Sequence, residues 1–117
     1  MNEIKKITDM IKKFRDERDW KQFHDPRNMA ISIVLEASEL LEHFQWKSKE
    51  EIEQYVKNKK NRGEIQDEIA DIAAYLFELA DNMDIDLMAA VKRKLAKNRK
   101  KYPVKKAKGK HTKYTKL

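Results

Sequence analysis

Two acidic pairs, Glu36-x-x-Glu39 and Glu68-x-x-Asp71, are the residues of this chain whose types and spacing can do chemistry. On a helix, side chains three positions apart lie on one face within about 5–6 Å of each other. Each pair can therefore reach one ion, and four carboxylates converging from two helices form a binding site for a hard cation. Mg²⁺, or Mn²⁺ in its place, suits such a set, because Mg²⁺ takes oxygen ligands and leaves room for water and substrate phosphates. The competing reading is that acidic i, i+3 pairs are common on solvated helix faces, above all in a chain that is 40% charged.

The neighbours of each pair argue for a site. With Ala37 at the centre of the first helix's apolar face, Ala30, Ile33, Val34, Leu41 and Phe44 fall near it at about 100° per residue, with Leu40 at one edge. Ser32, Glu36, Glu39 and His43 then form one narrow polar stripe, bracketed on its far side by Ile31 and Leu35. On the second helix Ile65, Ile69, Ile72, Leu76, Leu79 and Met83 make the expected core stripe, and Glu64, Glu68, Asp71 and Tyr75 line one flank. Carboxylates so placed are partly desolvated and mutually repulsive, which is unfavourable without a compensating cation.

Composition narrows the class. A chain of 117 residues is one domain with a modest helical core. The lack of cysteine excludes a disulfide, a thiolate zinc site and a cysteine nucleophile, so nothing points to secretion. The start, MNEIKKITDMIKKF, is charged and amphipathic with no apolar h-region, and no segment approaches the roughly 20 apolar residues of a membrane span; a cytoplasmic protein with no membrane partner is expected. Two glycines, Gly63 and Gly109, are too few for a phosphate-cradling loop, and the three serines lie in no nucleophile-elbow context. The net charge of +7 is divided sharply: residues 1–91 carry 14 basic against 20 acidic side chains, and residues 92–117 carry 13 basic ones and no acid. An acidic body makes nucleic acid an unlikely partner for the whole fold.

The elements that must position the acids read as helices throughout. Ile4, Ile7, Ile11 and Phe14 predict an amphipathic helix over about 3–19. Asp25-Pro26 reads as N-cap and first residue of the helix that carries Glu36 and Glu39 and closes at Trp46. Ser48-x-x-Glu51 has the form of a capping box opening a short helix to about Lys59, and Asn61-Arg62-Gly63 reads as a turn. The helix of Glu68 and Asp71 runs to about Asn82, and a last one opens near Asp86 and stops by Tyr102, before Pro103. The expected fold is an all-α bundle of four to five helices over 1–109, with a basic, flexible tail over 110–117. Ala70, Ala73, Ala74 and Phe77 make the Glu68 helix apolar nearly all round, so burial against a second subunit is expected.

Four separated motifs in order resemble a known family. Trp20-x-x-Phe23-His24-x-Pro26-x-Asn28, Glu36-Ala-Ser-Glu39-Leu-Leu-Glu42-His-Phe-Gln-Trp46, Asp67-Glu68-Ile-Ala-Asp71-Ile-Ala-Ala-Tyr75 and Lys94-x3-Asn98-x3-Tyr102-Pro103-Val104 look like the MazG-like all-α nucleoside triphosphate pyrophosphohydrolases, and most like their dCTP pyrophosphatase group. The resemblance covers about residues 14–109. It implies a homotetramer, a dimer of dimers, that hydrolyses a nucleoside triphosphate to monophosphate and pyrophosphate. It further implies that Glu36, Glu39, Glu68 and Asp71 hold Mg²⁺, that Lys94, Asn98 and Tyr102 meet phosphates or sugar, that Trp20, Trp46 and His24 surround the base, and that Tyr75 lies near the sugar. The match is not residue by residue at Leu95, Ala96 and Lys97.

Elementary chemistry agrees with that assignment. Hydrolysis between the α and β phosphates needs cations to neutralise charge, a water in line with phosphorus and a base to take its proton. Glu39, furthest from the expected core stripe, is the candidate base, with Glu36 held on the metal. Trp46 at the end of its helix lies about 7 residues, or roughly 10 Å of rise, from Glu39, which is comparable to the span from an α-phosphate to its base. Tyr75 under a sugar lacking a 2′-hydroxyl favours deoxynucleotides, and dCTP or a modified deoxynucleotide is the substrate the resemblance implies. The alternatives are a non-catalytic helical scaffold and a nucleic-acid binder acting through the basic C-terminus.

Overall fold

The computed structural model describes residues 2–117. In chain order these form α1 (Glu3–Glu17), a 3-10 turn (Lys21–Phe23), α2 (Pro26–Glu42), α3 (Lys49–Tyr55), α4 (Lys59–Asn82), α5 (Leu87–Lys101), α6 (Val104–Ala107) and a second 3-10 turn (Tyr114–Lys116). The all-α class is the one expected, with six α-helices and no strand among the described residues. Two compact units result, the first ending at Asp84 and the second spanning Ile85–Leu117.

Local sequence explains the boundaries in the first unit. The α1 helix ends in a Schellman motif: Trp20 N–H bonds to Arg15 O, Asp19 N–H bonds to Asp16 O, and Asp19 takes the left-handed conformation at φ 54°. The hydrophobic contact that accompanies this motif is the edge-to-face packing of Trp20 on Phe14, ring centroids 5.8 Å apart. Asp25 then caps α2, its carboxylate accepting from Asn28 N–H at 2.8 Å, with Pro26 in the first turn. The Asn28 amide donates back to Phe23 O and to Asp25, which fixes the turn between α1 and α2. Ser48 and Glu51 form the capping box of α3.

Three expected boundaries differ. The α2 helix stops at Glu42, so Trp46 does not close it but follows in an irregular turn, at φ 66° and 92% exposed. The α3 helix stops at Tyr55, because Asn58 starts α4 by accepting from Asn61 N–H at 3.1 Å. Asn61-Arg62-Gly63 consequently lies inside α4. A Cβ on Gly63 meets nothing within 4 Å. Gly63→Ala is therefore expected to stabilise the fold by about 0.5–1 kcal/mol through helix propensity, read as a higher urea midpoint at unchanged slope.

Packing is by α2 and α1 against α4. The core face of α2 is not the one centred on Ala37. Met29 is buried and Ser32, Ile33, Glu36, Leu40 and His43 are half-buried, whereas Ala30, Val34, Ala37 and Leu41 are exposed. On α4, Ile65, Ile72 and Leu79 are half-buried as expected, Glu68 and Tyr75 join them, and Ile69 and Leu76, with Met83 at the C-cap, are exposed. The two helices thus meet along their carboxylate-bearing sides, and much of the aliphatic surface is turned away from the contact. In the second unit, Asp86 caps α5 and Tyr102 ends it; the Tyr114 ring packs edge-on to Tyr102 at 5.9 Å, with Lys101 4.7 Å from its centroid.

Candidate active site

The four acids come from facing helices, Glu36 and Glu39 from α2 and Glu68 and Asp71 from α4. Glu36 and Glu68 are half-buried, and each has a buried carboxylate oxygen, Oε2, without a hydrogen-bond partner. Glu39 and Asp71 are the more exposed member of each pair. His43 Nε2 stands 2.7 Å from Glu68 Oε2, off the line that a hydrogen bond needs, while its Nδ1 is 2.6 Å from the Tyr55 hydroxyl. Burial pushes the Glu36 carboxyl above its ordinary range, and the charges of Glu39, Asp71 and Glu68 act in the same direction, as does a hydrogen bond with Glu39.

The orphaned oxygen of Glu36, with Glu68 Oε2 met only by His43 on the facing helix, is what a hard cation satisfies, and an all-oxygen donor set matches Mg²⁺. No group of three acids or histidines among the described residues is already drawn into a closed metal cage. The raised proton affinity of Glu36 has a consequence for the metal-free protein. Folded Glu36 keeps its proton to higher pH than the unfolded chain does, so its contribution to stability falls as pH rises from the ordinary carboxyl range to the raised one. The difference in transition temperature between Glu36→Gln and the unchanged protein, measured without metal, should therefore grow in the variant's favour from acidic to neutral pH. A constant difference means that neither burial nor the neighbouring acids raise the proton affinity of Glu36.

Beside the acids lies a cavity of about 190 Å³, walled by α1, α2, α4 and the turn after α1. Its apolar side is Ile11, Phe14, Trp20, Ala74 and Tyr75; its polar side includes His24, Glu36, Asp71 and Glu78. Trp20, His24 and Tyr75, chosen from the sequence for a base or sugar, are thus brought together next to two of the acids, with His24 and Tyr75 edge-on at 6.4 Å. Trp46 does not line the cavity. Lys94 and Asn98 lie on α5 and Tyr102 caps it; spaced by four, they share one face of that helix.

Sequence reasoning missed the floor of the cavity. Arg15 and Glu78 are buried, each side chain 3% exposed, with Arg15 Nη1 3.4 Å from Glu78 Oε2 and 3.2 Å from Asn82 Oδ1. Arg15 Nε also binds Asp16 at 2.8 Å; that bond, reinforced by Glu78, raises the guanidinium pKa further and holds the Asp16 carboxyl below its ordinary range. The available signal was Glu78 itself, a charge within the apolar run Ala73-Ala-Tyr-Leu-Phe-Glu-Leu-Ala80 and one turn from Tyr75.

The MazG-like family model matches residues 31–117. The chain belongs to the MazG-like family. It is 44% identical over 104 residues to dCTP pyrophosphatase 1 of Rattus norvegicus and 41% identical to that of Homo sapiens, covering 89% of this chain and 61% of each relative. The chain therefore spans about three-fifths of the length of these mammalian relatives. The crystal structure of a pyrophosphatase from Archaeoglobus fulgidus, 42% identical, superposes with a TM-score of 0.81 over 88% of this chain and 94% of that one. The fold of this MazG-like chain is thus that of its family. Among its described residues, no helix is long and apolar enough to cross a membrane.

Proposed function

We propose that this chain hydrolyses a deoxynucleoside triphosphate, dCTP or a modified relative of it, to the monophosphate and pyrophosphate, with Mg²⁺ held by Glu36, Glu39, Glu68 and Asp71. The observation that carries the reading is the unpartnered buried carboxylate oxygen of Glu36, set against the acids of α4 and lining a cavity with Asp71, Trp20, His24 and Tyr75. The names of the mammalian relatives support the substrate class.

Mg²⁺ at these acids supplies charge neutralisation for the triphosphate and for the departing pyrophosphate. The protein's own part is positioning and proton transfer. Trp20 and Tyr75 offer apolar rings to base and sugar, and Ala74 and Ile11 extend the apolar wall at that end. Glu39, the more exposed acid of its pair, takes a proton from the attacking water as the water oxygen bonds to phosphorus and the bridging bond between the α and β phosphates breaks. On the motif alone, Lys94, Asn98 and Tyr102 are assigned to phosphate or sugar.

Product analysis tests the reading. With Mg²⁺ and a panel of canonical and modified triphosphates, monophosphate and pyrophosphate should appear in equal amounts from a few substrates. Orthophosphate as product, or no turnover with Mg²⁺ or Mn²⁺, removes it.

The same reading includes self-association. Ile31, Val34, Leu35 and Leu41 on α2, Ile69 and Leu76 on α4 and Met83 at its C-cap are exposed, while only Met29 and Ala80 are buried apolar residues among those described. A second copy of the chain is the occupant that covers these faces, and a dimer of dimers offers both α2 and α4 a partner. Val34→Glu combined with Leu41→Glu is expected to lower the solution mass measured by light scattering; an unchanged mass, or a monomeric parent, refutes it.

A further inference from the structure

Three observations meet at His24. Its Nδ1 lies 2.8 and 3.0 Å from the two carboxylate oxygens of Glu78. Glu78 is gripped in turn by Arg15 at 3.4 Å and by the Asn82 amide at 3.1 Å, and the same amide reaches the His24 carbonyl at 3.5 Å. No hydrogen bond to His24 Nε2 occurs among the described residues, although the ring lines the cavity beside Trp20 and Tyr75.

A carboxylate so held can only accept, so the ring proton facing it sits on Nδ1. In the neutral imidazole Nε2 is then an acceptor without a partner. Arg15 matters to this state. Its guanidinium and the Asn82 amide hold the Glu78 carboxylate in place facing Nδ1, so the ring keeps one orientation.

We propose that Glu78, clamped by Arg15 and Asn82, is a positioning residue for base selection. It locks His24 with Nε2 as an acceptor, so that the cavity favours a base edge offering an exocyclic amino group, as cytosine does, over one offering a carbonyl there, as uracil does. The proposal rests on the nucleotide reading above and deepens it. Selection of this kind is strong because the wrong base leaves two acceptors facing each other with neither satisfied.

The lock and the selection are read separately on the full chain. Long-range ¹H–¹⁵N correlation spectra of the ligand-free, ¹⁵N-labelled protein report which His24 nitrogen bears the proton. The expected result is protonation at Nδ1 alone, with a shift toward mixed tautomers in Glu78→Gln, whose amide can donate as well as accept. Titration with dCMP and dUMP should give the unchanged protein a preference for dCMP of about tenfold or more, falling toward parity in Glu78→Gln. Protonation at Nε2 in the unchanged protein overturns the lock, whatever the variant does. Equal affinity for the two nucleotides in the unchanged protein, or a preference that survives in Glu78→Gln, overturns the selection. Failure of both nucleotides to bind, with no triphosphate turned over, overturns the nucleotide reading and this proposal with it. The tautomer, measured without ligand, tells that failure apart from failure of the lock.

Discussion

Glu39→Gln should lower turnover of the preferred triphosphate by about a hundredfold to ten-thousandfold, the range that general-base catalysis contributes. The substitution keeps size and removes the basic oxygen. Glu36 is the rival, since burial and the neighbouring acids raise its affinity for a proton. Those causes act on the metal-free cluster, however, and a bound cation opposes each of them. Glu39 is wetter and shares the α2 face, so it can reach a water while Glu36 remains on the metal. The discriminating measurement is turnover against Mg²⁺ concentration. The larger part of the loss in Glu39→Gln, that of the base, should persist at saturating Mg²⁺ even where its share in holding the metal is made good, whereas Glu68→Gln and Asp71→Asn should recover most of theirs as Mg²⁺ rises. Retained turnover in Glu39→Gln at saturating metal, with Glu36→Gln inactive, transfers the role to Glu36.

Where the sequence was legible, a short-range rule was at work. Asp25-Pro26, Ser48-x-x-Glu51 and Asp86 start helices through side-chain bonds spanning three residues, and each starts its helix as read. The spacing of Glu36, Glu39, Glu68 and Asp71 likewise follows from helical geometry alone, and Glu68 and Tyr75 do share the half-buried side of α4. What failed needed knowledge of partners. Periodicity identified the aliphatic face of α2 and took it for the core, but the exposed Val34 and Leu41 show that the polar stripe meets α4. A hydrophobic face says only that something covers it, not that the same chain does. Trp46 was placed by extending a helix past Glu42, where main-chain bonds from Phe44 and Gln45 to Leu41 turn the chain away.

The cavity floor was illegible for a different reason. Arg15 and Glu78 are 63 residues apart, and nothing local in either helix requires the other. Their pairing yields the largest stability effect expected here. Arg15→Met should destabilise the fold by about 3 kcal/mol, because it leaves the Glu78 carboxylate buried with only His24 and Asn82. Glu78→Leu should cost less, since Arg15 keeps its 2.8 Å bond to the exposed Asp16. The double substitution should recover most of the loss, as buried pairs replaced by apolar groups of similar volume often do. Urea unfolding at one protein concentration closes the cycle and isolates the coupling between the two residues. Additive losses mean that Arg15 and Glu78 act independently, and then Arg15 has no part in holding His24. Strong coupling with recovered stability, joined to lost discrimination between dCMP and dUMP, means that the charged pair is retained for what it does to His24, since an apolar pair would hold the helices together as well.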